Sequence, residues 1–125
     1  MERWLGSSAF DAEFEFRFEV DTGWIEIFEI VDGAPVSLAK TNGPAQSLSV
    51  TLSNAKPTRV LSITAAGSDA TGQPLTSRRS VSQNGAILPA FAGSVPINGT
   101  SAPYSEVSEP VGQTGKIIDL EVWFS

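Results

Sequence analysis

A candidate binding surface lies near the C-terminus, where one indole and two carboxylates share a side of a predicted strand. Every second residue from 118 to 124 is apolar, so these side chains share one face, and the opposite face carries Asp119, Glu121 and Trp123. Carbohydrate sites use this combination, because an aromatic plane stacks on the apolar face of a pyranose while carboxylates accept hydrogen bonds from its hydroxyls. Trp24 and Tyr104 are further stacking candidates. The alternative is that Trp123 packs beneath a loop or a subunit and that Trp24 belongs to the core.

A second set of carboxylates occupies alternate positions closer to the N-terminus. Its members are Asp11, Glu13, Glu15, Glu19 and Asp21. Carboxylates two residues apart on a strand lie about 6.6 to 7 Å apart, which is within the carboxyl separation of inverting glycosidases. A carboxylate-based hydrolase is therefore one hypothesis. The simpler interpretation is a solvated strand face whose charge discourages aggregation through sheet edges.

Calcium is the metal for which the chain has ligands, because hard cations bind carboxylate and carbonyl oxygens. The candidate loops are 21–23, 32–33 and 68–72, which contain Asp21, Asp32 and Asp69. None of them matches the twelve-residue loop with acids at alternating positions, and ordinary Asp-Gly turn chemistry explains each one. We therefore expect no cofactor, with calcium as the alternative that the loops leave open.

The residue types that are missing argue against most enzyme chemistry. The chain has no Cys and no His, which excludes thiol nucleophiles, disulfides, Ser-His-Asp triads and His-ligated metal centres. No nucleophile elbow, phosphate loop or dinucleotide fingerprint is present. A net charge of −6 disfavours nucleic acids and anionic membranes as partners. The only basic pair is Arg78-Arg79, of which at least one member should be exposed, because neighbours on a strand face opposite sides.

Nothing in the sequence predicts membrane insertion or export. No apolar run approaches the roughly 18 residues that span a bilayer. The first six residues lack the basic and then apolar regions of a signal peptide. We therefore expect a soluble chain, and the compartment is not predicted.

Proline and glycine punctuate the chain so densely that only residues 7–22 leave room for a long helix. Within that window, apolar and charged residues alternate strictly from Phe10 to Val20, which is typical of a half-buried strand. Further strands are predicted at 24–31, around 36–38, and at 48–52, 61–65 and 75–81. The alternation in 24–31 breaks at Phe28, for which a bulge or two buried faces are the explanations. Hairpin turns are predicted at Asp32-Gly33, Asn42-Gly43 and Asn84-Gly85.

This pattern of short strands and regular turns predicts an all-β fold. The expected architecture is an antiparallel β-sandwich, either a jelly roll or immunoglobulin-like, that forms a single domain over 1–125, and a closed β-barrel is the alternative. Residues 87–97 contain two prolines and should lie at an edge or in a crossing segment. Residues at about 98–115 are rich in Gly, Ser, Pro and Thr, which predicts a long polar loop.

Non-catalytic recognition is the function these features favour, with a lectin-like carbohydrate binder as the leading hypothesis. The alternative is a structural or assembly subunit, such as a virion, tail or scaffold component, that forms a homo-oligomer through its sheet surfaces. Its basis is uneven charge: residues 1–32 hold nine acidic and two basic side chains, whereas residues 33–105 hold one acidic and five basic ones. If the two chain ends pair, they form an acidic sheet that the basic middle could attract. A hydrolase ranks third.

Overall fold

The computed structural model describes residues 2–43, 45–66, 74–88, 90–92, 95–96, 105–110 and 115–125, and every regular element among them is a β-strand. The strands are β1 (Glu2–Gly6), β2 (Ala12–Thr22), β3 (Trp24–Val31), β4 (Ala34–Lys40), β5 (Ala45–Leu52), β6 (Thr58–Ala66), β7 (Pro74–Gln83), β8 (Ala86–Ile87), β9 (Ala90–Ala92), β10 (Val95–Pro96), β11 (Ser105–Pro110) and β12 (Gly115–Phe124). The predicted all-β class is confirmed. No helix of the described residues has the length and apolarity that crossing a membrane requires.

The strands form two sheets. The first sheet has the order β10–β9–β1–β12–β6–β3–β4, and the second has the order β11–β7–β2–β5, with β8 also paired to β7. All pairs are antiparallel except β1 with β12, which is parallel. Over the described strands neither sheet closes on itself, so the closed-barrel alternative is wrong.

One buried apolar cluster receives side chains from both sheets. The long strand β2 contributes Ala12, Phe14, Phe16 and Phe18, as its alternation predicts. The other members are Trp4, Ile25, Ile27, Leu52, Leu61, Ile63, Ala65, Val81, Leu120, Val122 and Phe124. In β2, β3, β6 and β12 the described side chains alternate between buried and more exposed positions, so the other half of each of these strands forms the outer face of its sheet.

The break in the β3 sequence pattern at Phe28 is caused by an inward-facing carboxylate, because β3 itself alternates regularly and the extra residue at its register shift, Leu38, belongs to β4. The pairing of β3 with β4 shifts between Ile27 and Phe28. Alternation continues through β3, so Glu29 lies on the same side as Ile25 and Ile27 and is buried. There it pairs with Arg59 of β6.

Two of the three predicted hairpins are confirmed. Asp32-Gly33 joins the paired strands β3 and β4, and Asn84-Gly85 joins β7 and β8, all with positive φ as a type I′ turn requires. The prediction for Asn42-Gly43 is wrong, because β4 and β5 belong to different sheets. There Gly43 has a φ of 115°, a conformation that disfavours other residues, and the chain passes from the edge of the first sheet to the edge of the second.

The first and last strands of the chain lie side by side in one sheet, but they do not form the acidic sheet that the charge distribution suggested. The N-terminal strand β1, which the sequence did not indicate, pairs with β12, whereas the acidic strand β2 lies in the second sheet. The turn between β1 and β2 is anchored by the buried amide of Gln83, which accepts from the Ser7 N–H at 2.8 Å. The same amide donates to the Ser7 and Phe10 carbonyls at 2.8 and 3.0 Å.

The predicted long loop at about 98–115 contains a strand. Residues 105–110 form β11 and pair with β7, and Gly115 already belongs to β12. Polar composition misled the prediction, because an edge strand can be held by its neighbour's backbone hydrogen bonds without an apolar face. Residues 97–104 and 111–114 lie outside the described residues. For 87–97, the described residues agree with the prediction: β8 lies in the second sheet, and β9 and β10 lie at the edge of the first, whereas residues 89, 93–94 and 97 lie outside the described residues.

Candidate functional site

The C-terminal strand orients its side chains as its alternation predicts. Leu120, Val122 and Phe124 are buried, whereas Asp119 and Glu121 are partly exposed and Trp123 is 37% exposed. The indole therefore lies on the outer face of the first sheet, on the same side as the two carboxylates. Its neighbourhood is set by β1 on one side and β6 on the other.

Strand β1 supplies residues that sequence reasoning missed. Leu5 lies beside Trp123 in the register and is 45% exposed, and Arg3 lies beside Glu121. The Arg3 guanidinium carbon is 5.5 Å from the centroid of the Trp123 ring, which is a cation–π geometry. We call Arg3, Leu5, Asp119, Glu121 and Trp123 the Trp123 patch. Only the alternation of Trp4 with Arg3 and Leu5 could have indicated β1, and three residues are too few to distinguish a strand from a loop.

Trp24 lies on the same outer face but far from the Trp123 patch. In the register, Trp123 is opposite Thr58 of β6, and Trp24 is opposite Ala66 of the same strand. At about 3.4 Å per residue and about 4.8 Å per strand, the two indoles are about 27 Å apart along the strands and about 10 Å apart across them. Trp24 has its own cation, since Lys40 Nζ is 4.7 Å from its ring centroid. A single sugar residue cannot contact both rings.

The other predicted ligand-binding and calcium candidates are not all described. Tyr104, Asp69 and the side chain of Asp21 lie outside the described part of the molecule. Asp32 is in the β3–β4 turn, where its φ of 52° reflects turn geometry. The described side chains include no group of three or more acidic residues that could hold a metal ion.

Of the second set of carboxylates, Asp11, Glu13, Glu15, Glu19 and Asp21, the structure describes the first three side chains, which are at the surface. Glu13 and Glu15 project outward from β2, and each has hydroxyl-bearing neighbours on β5 and β7. Glu15 forms a surface ion pair with Arg17 at 3.6 Å. Asp11, just before the strand, accepts a hydrogen bond from the Asn54 backbone N–H at 2.9 Å. These partners are those of a solvated strand face. The side chains of Glu19 and Asp21 are not described.

Among the described residues, the charged side chains that face inward are paired with each other in two ion pairs, which makes them structural contacts. Arg79 of β7 is buried, whereas Arg78 beside it is exposed. The Arg79 guanidinium donates to the buried carboxylate of Glu2 in β1, with Nη2 at 2.8 Å from Oε2. Glu2 also accepts from the Trp4 indole N–H at 3.0 Å. This pair links the two sheets and is a structural contact.

The second inward-facing pair joins Glu29 and Arg59 within the first sheet. Arg59 donates to both carboxylate oxygens and, at 2.6 Å, to the Ser53 carbonyl. The hydrogen bond from Arg59 is the main cause that lowers the pKa of Glu29 below its ordinary value of 4.5, while burial acts in the opposite direction. Glu29 is therefore held ionised as an acceptor, which is the wrong state for a general acid.

Comparison with known proteins adds no functional information. No protein-family model, no curated protein and no solved structure matches the chain. Its function is therefore inferred from its own residues.

Proposed function

We propose that this chain is a β-sandwich that binds carbohydrate without catalysis at the Trp123 patch. The architecture is supported by the two sheets and the single buried cluster to which both contribute. Within that architecture, jelly-roll and immunoglobulin-like arrangements are the two candidates. The observation that carries the binding proposal is the exposed indole of Trp123, which has carboxylates and a guanidinium beside it on a sheet face.

The chemistry of the patch matches that of a sugar ring. The indole offers a plane for the apolar C–H face, and Leu5 extends that apolar surface by one strand. Arg3 restrains the indole through its cation–π contact and supplies N–H donors, while Glu121 and Asp119 supply acceptors for hydroxyl groups. Trp24 faces Lys40 outside the Trp123 patch and is not part of the proposed site. Tyr104 remains a prediction from the sequence.

A glycan array with the intact chain tests this proposal, followed by titration of any glycan that binds. We expect Trp123→Ala to weaken binding at least about tenfold, because stacking and its buried area are both lost. Trp24→Ala is the matched control, since it removes an identical ring about 27 Å away along the same face. The buried Trp4 serves as an internal reference: its indole N–H resonance should not move when that of Trp123 shifts.

Two outcomes would overturn the proposal. One is an array without any specific glycan, and the other is a glycan whose affinity is unchanged in Trp123→Ala. The array is run with calcium and again with a chelator. Loss of binding on chelation would indicate a calcium-dependent site and direct attention to the loops of Asp21, Asp32 and Asp69.

A second function, that of a self-associating structural subunit, is favoured by a different observation. The edge strand β5 of the second sheet carries neither charge nor proline. Natural proteins usually protect such edges, and an unprotected edge is a surface for strand pairing. Light scattering over a range of protein concentrations tests this function, and a strictly monomeric mass throughout would count against it.

A further inference from the structure

The edges of the two sheets differ in how they are protected against strand pairing. In the first sheet, the edge strand β4 contains Pro35, ends at the exposed Lys40 and pairs with β3 through a bulge. The edge strand on the opposite side, β10, has only two residues and ends at Pro96. In the second sheet, β11 carries Glu106 and Glu109 in its sequence and ends at Pro110. Proline, charge, bulges and short length are the known devices that prevent edge-to-edge association.

Strand β5 has neither proline nor charge, and the irregularity in its pairing with β2 is confined to its first end, between Ala45 and Ser47. It runs for eight residues, AQSLSVTL, without proline, glycine or a charged side chain. Among the described strands it is hydrogen-bonded to β2 alone. Along residues 47–52, the backbone groups that point away from β2 meet no further strand in the described part of the chain, so a row of donors and acceptors is available for pairing.

The side chains of β5 also suit a further neighbouring strand. Leu48 and Val50 face inward opposite Phe16 and Phe14, yet they are only partly buried, because the sheet ends at β5. On the outer face, Ser49 and Thr51 are small and neutral. A strand added beyond β5 would therefore cover apolar surface on one side and meet hydroxyl groups on the other.

We propose that β5 pairs antiparallel with β5 of a second copy of this chain across a two-fold axis, so that the two second sheets become continuous. We choose a second copy as the occupant because of the charge distribution. The chain has a net charge of −6, but β5 has no charged side chain, so two β5 strands can approach each other without repulsion between their side chains. A two-fold interface also places the same hydroxyl and apolar residues on both sides. This inference rests on the proposed self-association and is independent of carbohydrate binding.

Two double variants with the same charge change test the edge. Ser49→Lys/Thr51→Lys places lysines on β5 beside Glu15 and Glu13, and Ser80→Lys/Ser82→Lys places lysines on β7 beside the same two carboxylates. We expect the β5 variant to raise the dimer dissociation constant at least about fivefold, because like charges then face each other across the axis. The β7 variant should dimerise as the unmodified chain does. Sedimentation at concentrations up to about 1 mM measures both.

A cross-link identifies the strand directly, because the chain has no cysteine of its own. Ser49→Cys introduces one thiol near the centre of β5, and a short bismaleimide cross-linker should trap a covalent dimer, because opposed and diagonal positions on antiparallel strands lie about 4.5 to 8 Å apart. Ser82→Cys on β7 is the control and should not cross-link.

The outcomes separate this inference from the function it rests on. Self-association that both lysine variants leave unchanged, without a cross-link at Ser49, would overturn the β5 interface and leave a self-associating subunit intact. A chain that is monomeric at every concentration would overturn both. Loss of association in the β5 variant alone, together with the Ser49 cross-link, would support both.

Discussion

Arg79 and Glu2 form a buried ion pair between the two sheets, and we expect removal of one charge alone to destabilise the protein severely. Arg79 is 4% exposed and Glu2 is 7% exposed, and three hydrogen bonds of 2.8 to 3.1 Å join the guanidinium to the carboxylate. Arg79→Met removes the cation but keeps an apolar stem of similar length, which leaves the carboxylate of Glu2 buried without its guanidinium. Breaking a buried pair in this way costs about 3–5 kcal/mol.

That loss is large for a chain of 125 residues, whose total stability should be about 6–19 kcal/mol. The double variant Glu2→Leu/Arg79→Met should cost less than Arg79→Met alone, because it removes both charges together. Its remaining cost is about 1–3 kcal/mol, since the Trp4 indole N–H loses its acceptor on Glu2. The two substitutions are therefore expected to be strongly non-additive.

Urea unfolding followed by tryptophan fluorescence measures each free energy, and a double-mutant cycle gives the coupling. Arg17→Met is the matched control, because its ion pair with Glu15 is 3.6 Å long and about half exposed on both sides, so that its loss should cost below about 1 kcal/mol. A cost for Arg79→Met as small as that of the control would refute the reasoning. So would additivity of the Glu2 and Arg79 substitutions.

Three further predictions concern other parts of the fold. Because Arg59 lowers the pKa of Glu29 in the folded state, the pair stabilises the protein fully above about pH 4.5, and this contribution is lost as the pH falls through the folded pKa. Glu29→Gln should therefore make the unfolding free energy depend less on pH over that acidic range. An unchanged dependence of the unfolding free energy on pH would contradict this. Gly6→Ala would place a Cβ 2.5 Å from the Gln83 amide oxygen, so we expect the free energy of unfolding to fall by about 1–3 kcal/mol. Thermal or urea unfolding measures this, and a variant that unfolds at the same midpoint as the unmodified chain would disprove it. Gly85→Ala meets no atom within 4 Å, yet its φ of +80° should cost about 1–2 kcal/mol, and hairpin stability measured by hydrogen exchange in β7 and β8 checks it.

Local patterning was sufficient for much of the fold. Alternation identified β2, β5, β6 and β12 and assigned the outward side of β12, since successive side chains on a strand must point to opposite faces. The Asp32-Gly33 and Asn84-Gly85 turns were readable because positive φ is a property of the residues in the turn themselves. These features depend on sterics within a few residues.

The candidate site was only partly predictable. The position of Trp123 beside Glu121 follows from one strand, but Arg3 and Leu5 come from a strand too short to show a period. Trp24 was grouped with Trp123 by residue type, and the register places it about 27 Å away along the strands. Which residues share a site depends on strand order.

The sequence by itself determined that the chain forms strands, which side of each clear strand is apolar, and that chemistry based on thiols or imidazoles is excluded. The tertiary structure alone decided that β1 inserts between β9 and β12, that Arg79 reaches Glu2 across the two sheets, and that β5 is left at an edge. The physical reason is that every strand offers the same backbone donors and acceptors. Pairing is therefore selected by the packing of the whole core and not by any local segment.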